Sequence, residues 1–326
     1  MDVEERLPCR SRADFAAERI LGHLKDLRKE IPGVRRNEDI EPLHRMRVAS
    51  RRVRSALALL GDAAAVPASA GREVRTITRR LGAARDRDVQ IQWLVSFREG
   101  DAAKGDHQGV DRLLLRLRQE RGRLQPKLER LLLRLEEGDG IARLEEHLHR
   151  QRLAASLGEE EPGWVAETRR RAYQDLGILA ERLLSYEPYL SRPEAAEQHH
   201  AMRIRAKALR YGLELFSPLY DDELDPLADR IRKLQSALGE VHDGDVWVER
   251  VDRFLEEERR RALDYLGHAR SLSRLVPGAR AVREDRARAR EEAHRKAREL
   301  WERFAQEDLW GQIRTTLGKD VVPSAL

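Results

Sequence analysis

The chain has 326 residues, 37% of them charged and only 5% aromatic, with 63 Lys and Arg against 58 Asp and Glu. That length holds one large domain or two ordinary ones, the composition favours helix over a β-rich core, and no apolar run approaches the ~18 residues of a membrane span. The single cysteine, Cys9, excludes an internal disulfide and fits a reducing compartment; with no secretory pattern in MDVEERLPCR, the expectation is a cytoplasmic protein with no membrane partner.

Helical periodicity runs almost end to end. It predicts helices over 13–31, 38–60, 69–98, 108–136 and 139–156, then over 164–186, 194–217, 222–258, 259–275 and 279–308. Breakers such as Ile31-Pro32-Gly33, Gly61-Asp62, Glu137-Gly138-Asp139-Gly140 and Pro277-Gly278 mark the joints. Nothing reads as a strand, so the expected fold class is all-α. The stretch Leu157–Gly163 divides the chain into 12–156 and 164–308, with 309–326 as a C-terminal tail that looks loosely ordered.

Two motifs occur in both halves. HRMRVASRRVR at 44–54 matches HAMRIRAKALR at 200–210, an offset of 156 residues. Leu81-Gly82-Ala83-Ala84-Arg85-Asp86-Arg87-Asp88-Val89 matches Leu238-Gly239-Glu240-Val241-His242-Asp243-Gly244-Asp245-Val246, an offset of 157. The same order at nearly the same spacing predicts an internal duplication: two pseudo-symmetric tandem helical bundles.

At 100° per residue, His44, Arg47, Arg51 and Arg54 share one side of a helix, opposite Met46, Val53, Leu57 and Leu60. His200, Arg203, Lys207 and Arg210 repeat the row, opposite Met202, Leu209, Leu213 and Phe216. Only eight of the 63 basic residues are lysine, a bias that genomic base composition explains; it does not explain placement. A solvated helix face mixes signs, because pairs four residues apart relieve repulsion. Yet no acidic residue lies between His44 and Leu60, or between His199 and Leu213. Two bare cationic rows call for an external anion, and arginine forks suit phosphate oxygens. A row suits a polymer better than a single phosphate. If the halves are related by a pseudo-twofold axis, the rows face a shared basic groove or pore.

These two motifs, H-x-M-R-V-x-x-R-R-x-R and L-G-x-x-R-D-x-D-V, resemble those of the CHAD (conserved histidine α-helical domain) family over roughly residues 12–308. The resemblance implies two helical bundles that bind inorganic polyphosphate through basic surfaces around a central cavity, with no cofactor and no catalysis. Carried over, it implies phosphate contacts from His44, Arg47, Arg51, Arg54, His200, Arg203, Lys207 and Arg210, with Arg85, Lys233 and His242 as further contacts. His242 stands where the first half has Arg85, so that contact is not the same in both copies. Attachment to polyphosphate granules fits the same reading.

Two other readings stand beside this one. The same charges suit RNA, but the basic helices interleave few aromatics for base stacking. A histidine- or metal-dependent polyphosphate hydrolase would use His44 and His200. The set His199, His200, His242, Asp243 and Asp245 matches no compact metal-ligand spacing, and its arginine neighbours repel a cation. Asp86, Asp88, Asp243 and Asp245 either orient arginine forks or form ordinary helix-end salt bridges.

Overall fold

Residues 9–100, 107–138 and 140–319 are described by the computed structural model, and among them there are helices and no strand. The helices are α1 (Arg12–Lys29), α2 (Ile31–Arg36), α3 (Glu41–Leu60), α4 (Ala68–Glu99), α5 (His107–Glu136), α6 (Gly140–Leu157), α7 (Trp164–Leu184), α8 (Ala196–Phe216), α9 (Asp225–Leu266), α10 (Val276–Gln306) and α11 (Leu309–Gly318). No helix among them is long and apolar enough to cross a membrane.

Local chemistry sets most of the ends. Ser11 caps α1 by accepting from the Asp14 amide at 3.1 Å, which satisfies one of the helix's orphan donors. Pro32 and Pro42 sit in the first turns of α2 and α3, where a missing N–H costs nothing. The expected helix over 38–60 is α3, beginning at Glu41, and the expected joint at Ile31-Pro32-Gly33 is itself the short helix α2, which ends where Asn37 turns the chain with a left-handed φ of 52°. The expected break at residue 258 is absent. Arg259 and Arg261 pair back to Glu256 and Glu257 three and four residues earlier, so α9 continues to Leu266 and stops at Gly267, φ 71°. The expected loose tail is helical over Leu309–Gly318, where Leu309, Ile313 and Leu317 are buried and Trp310 packs on Trp301 and Phe304. Residues 320–326 lie outside the described part of the chain.

The apolar core does not divide at residues 157–163. A large cluster joins α1, α3, the starts of α4 and α9, the end of α5, and α6, α7, α8, α10 and α11; Phe15 of α1 stacks on Trp164 of α7 at 6.0 Å. A smaller cluster gathers the far ends of α4, α5, α9 and α10 around Leu94, Leu117, Trp247, Phe254 and Val282. Between the two cores, α4 and α9 each pass through a short polar stretch. Each stretch is the repeated L-G-x-x-[R/H]-D-x-D-V segment. In both halves the helix that carries the first motif packs on the helix that carries the second, α3 on α4 and α8 on α9, and α3 also packs on α8. The basic rows and the polar stretches thus meet at one waist.

Candidate functional site

The waist encloses a cavity of about 370 Å³ with walls from α3, α4, α8, α9 and α10. His44 and Arg47 come from α3, Arg85 and Asp86 from α4, Arg203 from α8, and His242 and Asp243 from α9. The second motif supplies a carboxylate to each row: Asp86 Oδ1 accepts from Arg47 Nη2 at 3.0 Å. Asp243 faces Arg203, and that guanidinium's charge is the main influence opposing the burial that pushes the Asp243 carboxyl up. The glycine that opens each motif makes room for the arginine shaft. A Cβ on Gly82 would lie 3.4 Å from Arg47 Nε, and one on Gly239 would lie 3.9 Å from Arg203 Cδ.

Asp88 and Asp245 do a different job. Asp88 Oδ1 accepts from Arg121 Nε of α5 at 2.7 Å, and Asp245 Oδ1 accepts from Arg290 Nε of α10 at 2.5 Å. Each ties the motif helix to the next helix. All four aspartates lie inside long helices rather than at helix ends.

The rows converge on Lys207. It is 8% exposed and has no carboxylate partner among the described residues. Burial, then the charges of Arg51, Arg203, Arg47 and Arg54, lower its ammonium from 10.5 to about 7. Arg51 also has no ion pair among the described residues, and burial followed by Arg47 lowers its guanidinium to about 10. Arg47 and Arg203 are lowered in direction too, burial first. Their Nε atoms, like Nε and Nη1 of Arg85, are buried without a hydrogen-bond partner. Cations that outnumber the carboxylates in a partly desolvated cleft raise the local potential strongly.

The histidines are neutralised by these surroundings. His44 is lowered below its usual 6.5 by burial first and then by Arg85. His200 Nδ1 lies 3.1 Å from His242 Nδ1, and burial followed by His200 pushes His242 down to about 4. Thus His44 with Arg85 in one half corresponds to His200 with His242 in the other. His199 is not part of the waist: it is fully buried, its Nε2 meets the Tyr189 carbonyl at 2.9 Å, and its ring packs on His294.

Of the eleven expected contacts, His44, Arg47, Arg85, Arg203 and His242 line the cavity, and Arg51, Arg54, His200, Lys207, Arg210 and Lys233 lie outside its lining. Arg210 lies at the edge of the cationic arc and turns to Glu214, one helical turn on, at 2.6 Å; Gln235 takes its Nε at 2.9 Å, and Tyr211 lies beneath the guanidinium. Lys233 is exposed on α9 outside the cavity lining. Arg54 is exposed at the end of its row. Arg85 is buried and approaches Glu41 of α3 at 3.7 Å. Conversely, Arg87, Arg286 and Trp93 line the cavity without having been singled out by the sequence. Arg286 stacks over Trp93 at 4.0 Å, and it comes from a stretch of α10 whose mixed charges look like any solvated helix.

Comparison with known proteins decides the family: the profile described as "CHAD domain" matches residues 18–252, most of the chain. The chain belongs to the CHAD family. Among solved structures, this CHAD protein is similar to one titled "Crystal structure of the CHAD domain from the plant Ricinus communis", at TM-score 0.57 and 24% sequence identity. That likeness covers 97% of this chain and 93% of the other, so the shared fold includes the helices beyond the profile match. Comparison with the curated proteins returns no match.

Proposed function

We propose that this CHAD protein binds inorganic polyphosphate, without turning it over, along the two basic rows at the waist, and that the rows arose by internal duplication. The observation that carries this reading is Lys207: a buried ammonium ringed by Arg51, Arg203, Arg47 and Arg54, with no carboxylate partner among the described residues. Such a cluster is destabilising on its own and is relieved by several negative charges arriving together. A linear chain of phosphates provides them at close spacing, and guanidinium forks match their oxygens. The contacts follow as Arg47, Arg51, Arg54, Arg203 and Lys207, with His44 beside Arg85 and the His200–His242 pair as neutral hydrogen-bonding groups. Asp86 and Asp243 orient the two arginines nearest them. Arg210 and Lys233 fall outside this set, since one is engaged by Glu214 and the other is exposed on α9 and belongs to neither basic row. Attachment to polyphosphate granules in the cytoplasm is the biological setting this reading suggests.

Titration with long-chain polyphosphate tests it. The wild-type protein should bind with an affinity that falls steeply with salt, as counterion release demands. Arg51→Glu combined with Lys207→Glu should abolish binding; Lys207→Met, which suits the buried position better, should weaken it with the helical circular-dichroism signal intact. Unchanged titration curves for both variants would defeat the assignment. Labelled RNA should be displaced readily by polyphosphate and should displace it poorly. Phosphate release that required a divalent metal and vanished in His44→Ala would establish a hydrolase instead.

A further inference from the structure

Arg87, in the middle of α4, lines two cavities. One is the waist; the other, of about 450 Å³, lies between α5 and α9. Seven arginines and two glutamates line this second cavity, with Leu113 and Phe254 as apolar lining. Glu120 is shared by Arg87 Nε at 2.6 Å and Arg250 Nη1 at 3.2 Å, and Glu257 pairs with Arg261 at 3.0 Å. Both lining carboxylates are therefore already engaged. Arg123 and Arg260 are exposed there and have no carboxylate partner among the described residues. The Arg250 guanidinium is lowered by burial first and by Arg87 next, which reflects how closely the cations crowd. A concave surplus of positive charge concentrates anions.

The second half is built differently at the matching place. Gly244 stands where the first half has Arg87. A Cβ there would lie 2.6 Å from Arg290 Cβ and 3.1 Å from the Arg286 carbonyl oxygen, so α10 is seated directly against α9. Arg87 instead reaches outward to Glu120 on α5 and extends the basic surface past the waist.

We infer that the cavity lined by Arg87, Arg123, Arg250 and Arg260 is a second polyanion subsite, which holds phosphate units of a long chain whose other units lie at the waist. This rests on the polyphosphate reading above and adds a chain-length requirement to it. His242 and Arg260 are eighteen residues apart on α9, roughly 27 Å at about 1.5 Å per residue. Tripolyphosphate seated at the waist does not reach Arg260, and a long chain does.

The test compares long-chain polyphosphate with tripolyphosphate on the full chain carrying Arg123→Ala and Arg260→Ala. Both residues are exposed, so the fold is not at stake. Long-chain affinity should drop about tenfold, with the slope of log affinity against log salt smaller by about two, while tripolyphosphate affinity stays within about twofold. A control carrying Arg36→Ala and Arg150→Ala removes the same charge outside the cavity and should leave long-chain affinity near wild type. Equal losses in the two double variants would reduce the effect to net charge and overturn the subsite. So would an unchanged long-chain affinity in the Arg123, Arg260 variant. A wild-type protein that bound no polyphosphate would defeat the parent reading first, and the wild-type titration alone reveals that case.

Discussion

His200 and His242 meet Nδ1 to Nδ1 at 3.1 Å, so one ring must donate and the other accept, and there is no place between them for a second proton. The pair is one of several that folding keeps neutral. His23 and His242 are pushed down to about 4, in each case by burial first, and His44, His200 and His294 are lowered in the same direction. A histidine whose folded value lies below its unfolded value of about 6.5 binds fewer protons in the native state. Stability is therefore full above about pH 6.5 and is lost as the pH falls toward 4. Thermal midpoints without ligand should decline across that window, and His23→Gln should flatten the decline. A midpoint that held steady from pH 7 to pH 4.5 would contradict the burial of these rings.

Lys207 gives ligand binding its own pH signature. With its ammonium near 7, a sizeable fraction is neutral in the free protein at pH 7.5. Phosphate oxygens beside it favour the charged form, so binding should take up as much as about one proton. Calorimetry in two buffers of different ionisation enthalpy reads that uptake. Lys207→Met should lose most of it, and buffer-independent heats in the wild type would rule out Lys207 as a contact.

The second motif separates into groups that serve the rows and groups that hold helices. Asp88 and Arg121 form a nearly buried pair, at 8% and 13% side-chain exposure. Removing one member leaves the other charge uncompensated, at a cost on the order of 3–5 kcal/mol. Asp88→Ala should therefore lower the denaturation midpoint markedly while the folded fraction keeps its polyphosphate affinity. Asp86→Ala removes a partner that is about half exposed and should barely change stability, so its effect should appear in binding. The reverse pattern would reassign the two aspartates.

Glycines inside the helices make a paired prediction. A Cβ on Gly244 meets Arg290 Cβ and the Arg286 backbone, whereas one on Gly177 of α7 meets nothing within 4 Å. Gly177→Ala should gain up to about 1 kcal/mol from helix propensity. Gly244→Ala has the same gain but must push α10 away, and overpacking of this kind costs about 1–3 kcal/mol. Urea melts should move in opposite directions for the two variants.

From its order of residues alone, the chain determined that it is helical, where most helices begin and end, and which residues carry the basic rows. Those properties are local: a 3.6-residue period, capping and breaking residues, and the lack of acid within reach along the same helix. Family membership was legible for the same reason, because both motifs are contiguous. Tertiary structure decided the rest. Only packing brings Arg51 of α3 up to Lys207 of α8, or ties Asp88 to α5 and Asp86 to α3. Arg210 shows the limit within a single helix. Its phase places it at the edge of the row, and Glu214 on one side with Gln235 of α9 on the other draws it out. Arg286 and Trp93 left no signal in the sequence, because a residue on a mixed-charge helix acquires its role only from the helix it lands on. Electrostatic influence acts through space, and the distances that govern it are fixed by the fold.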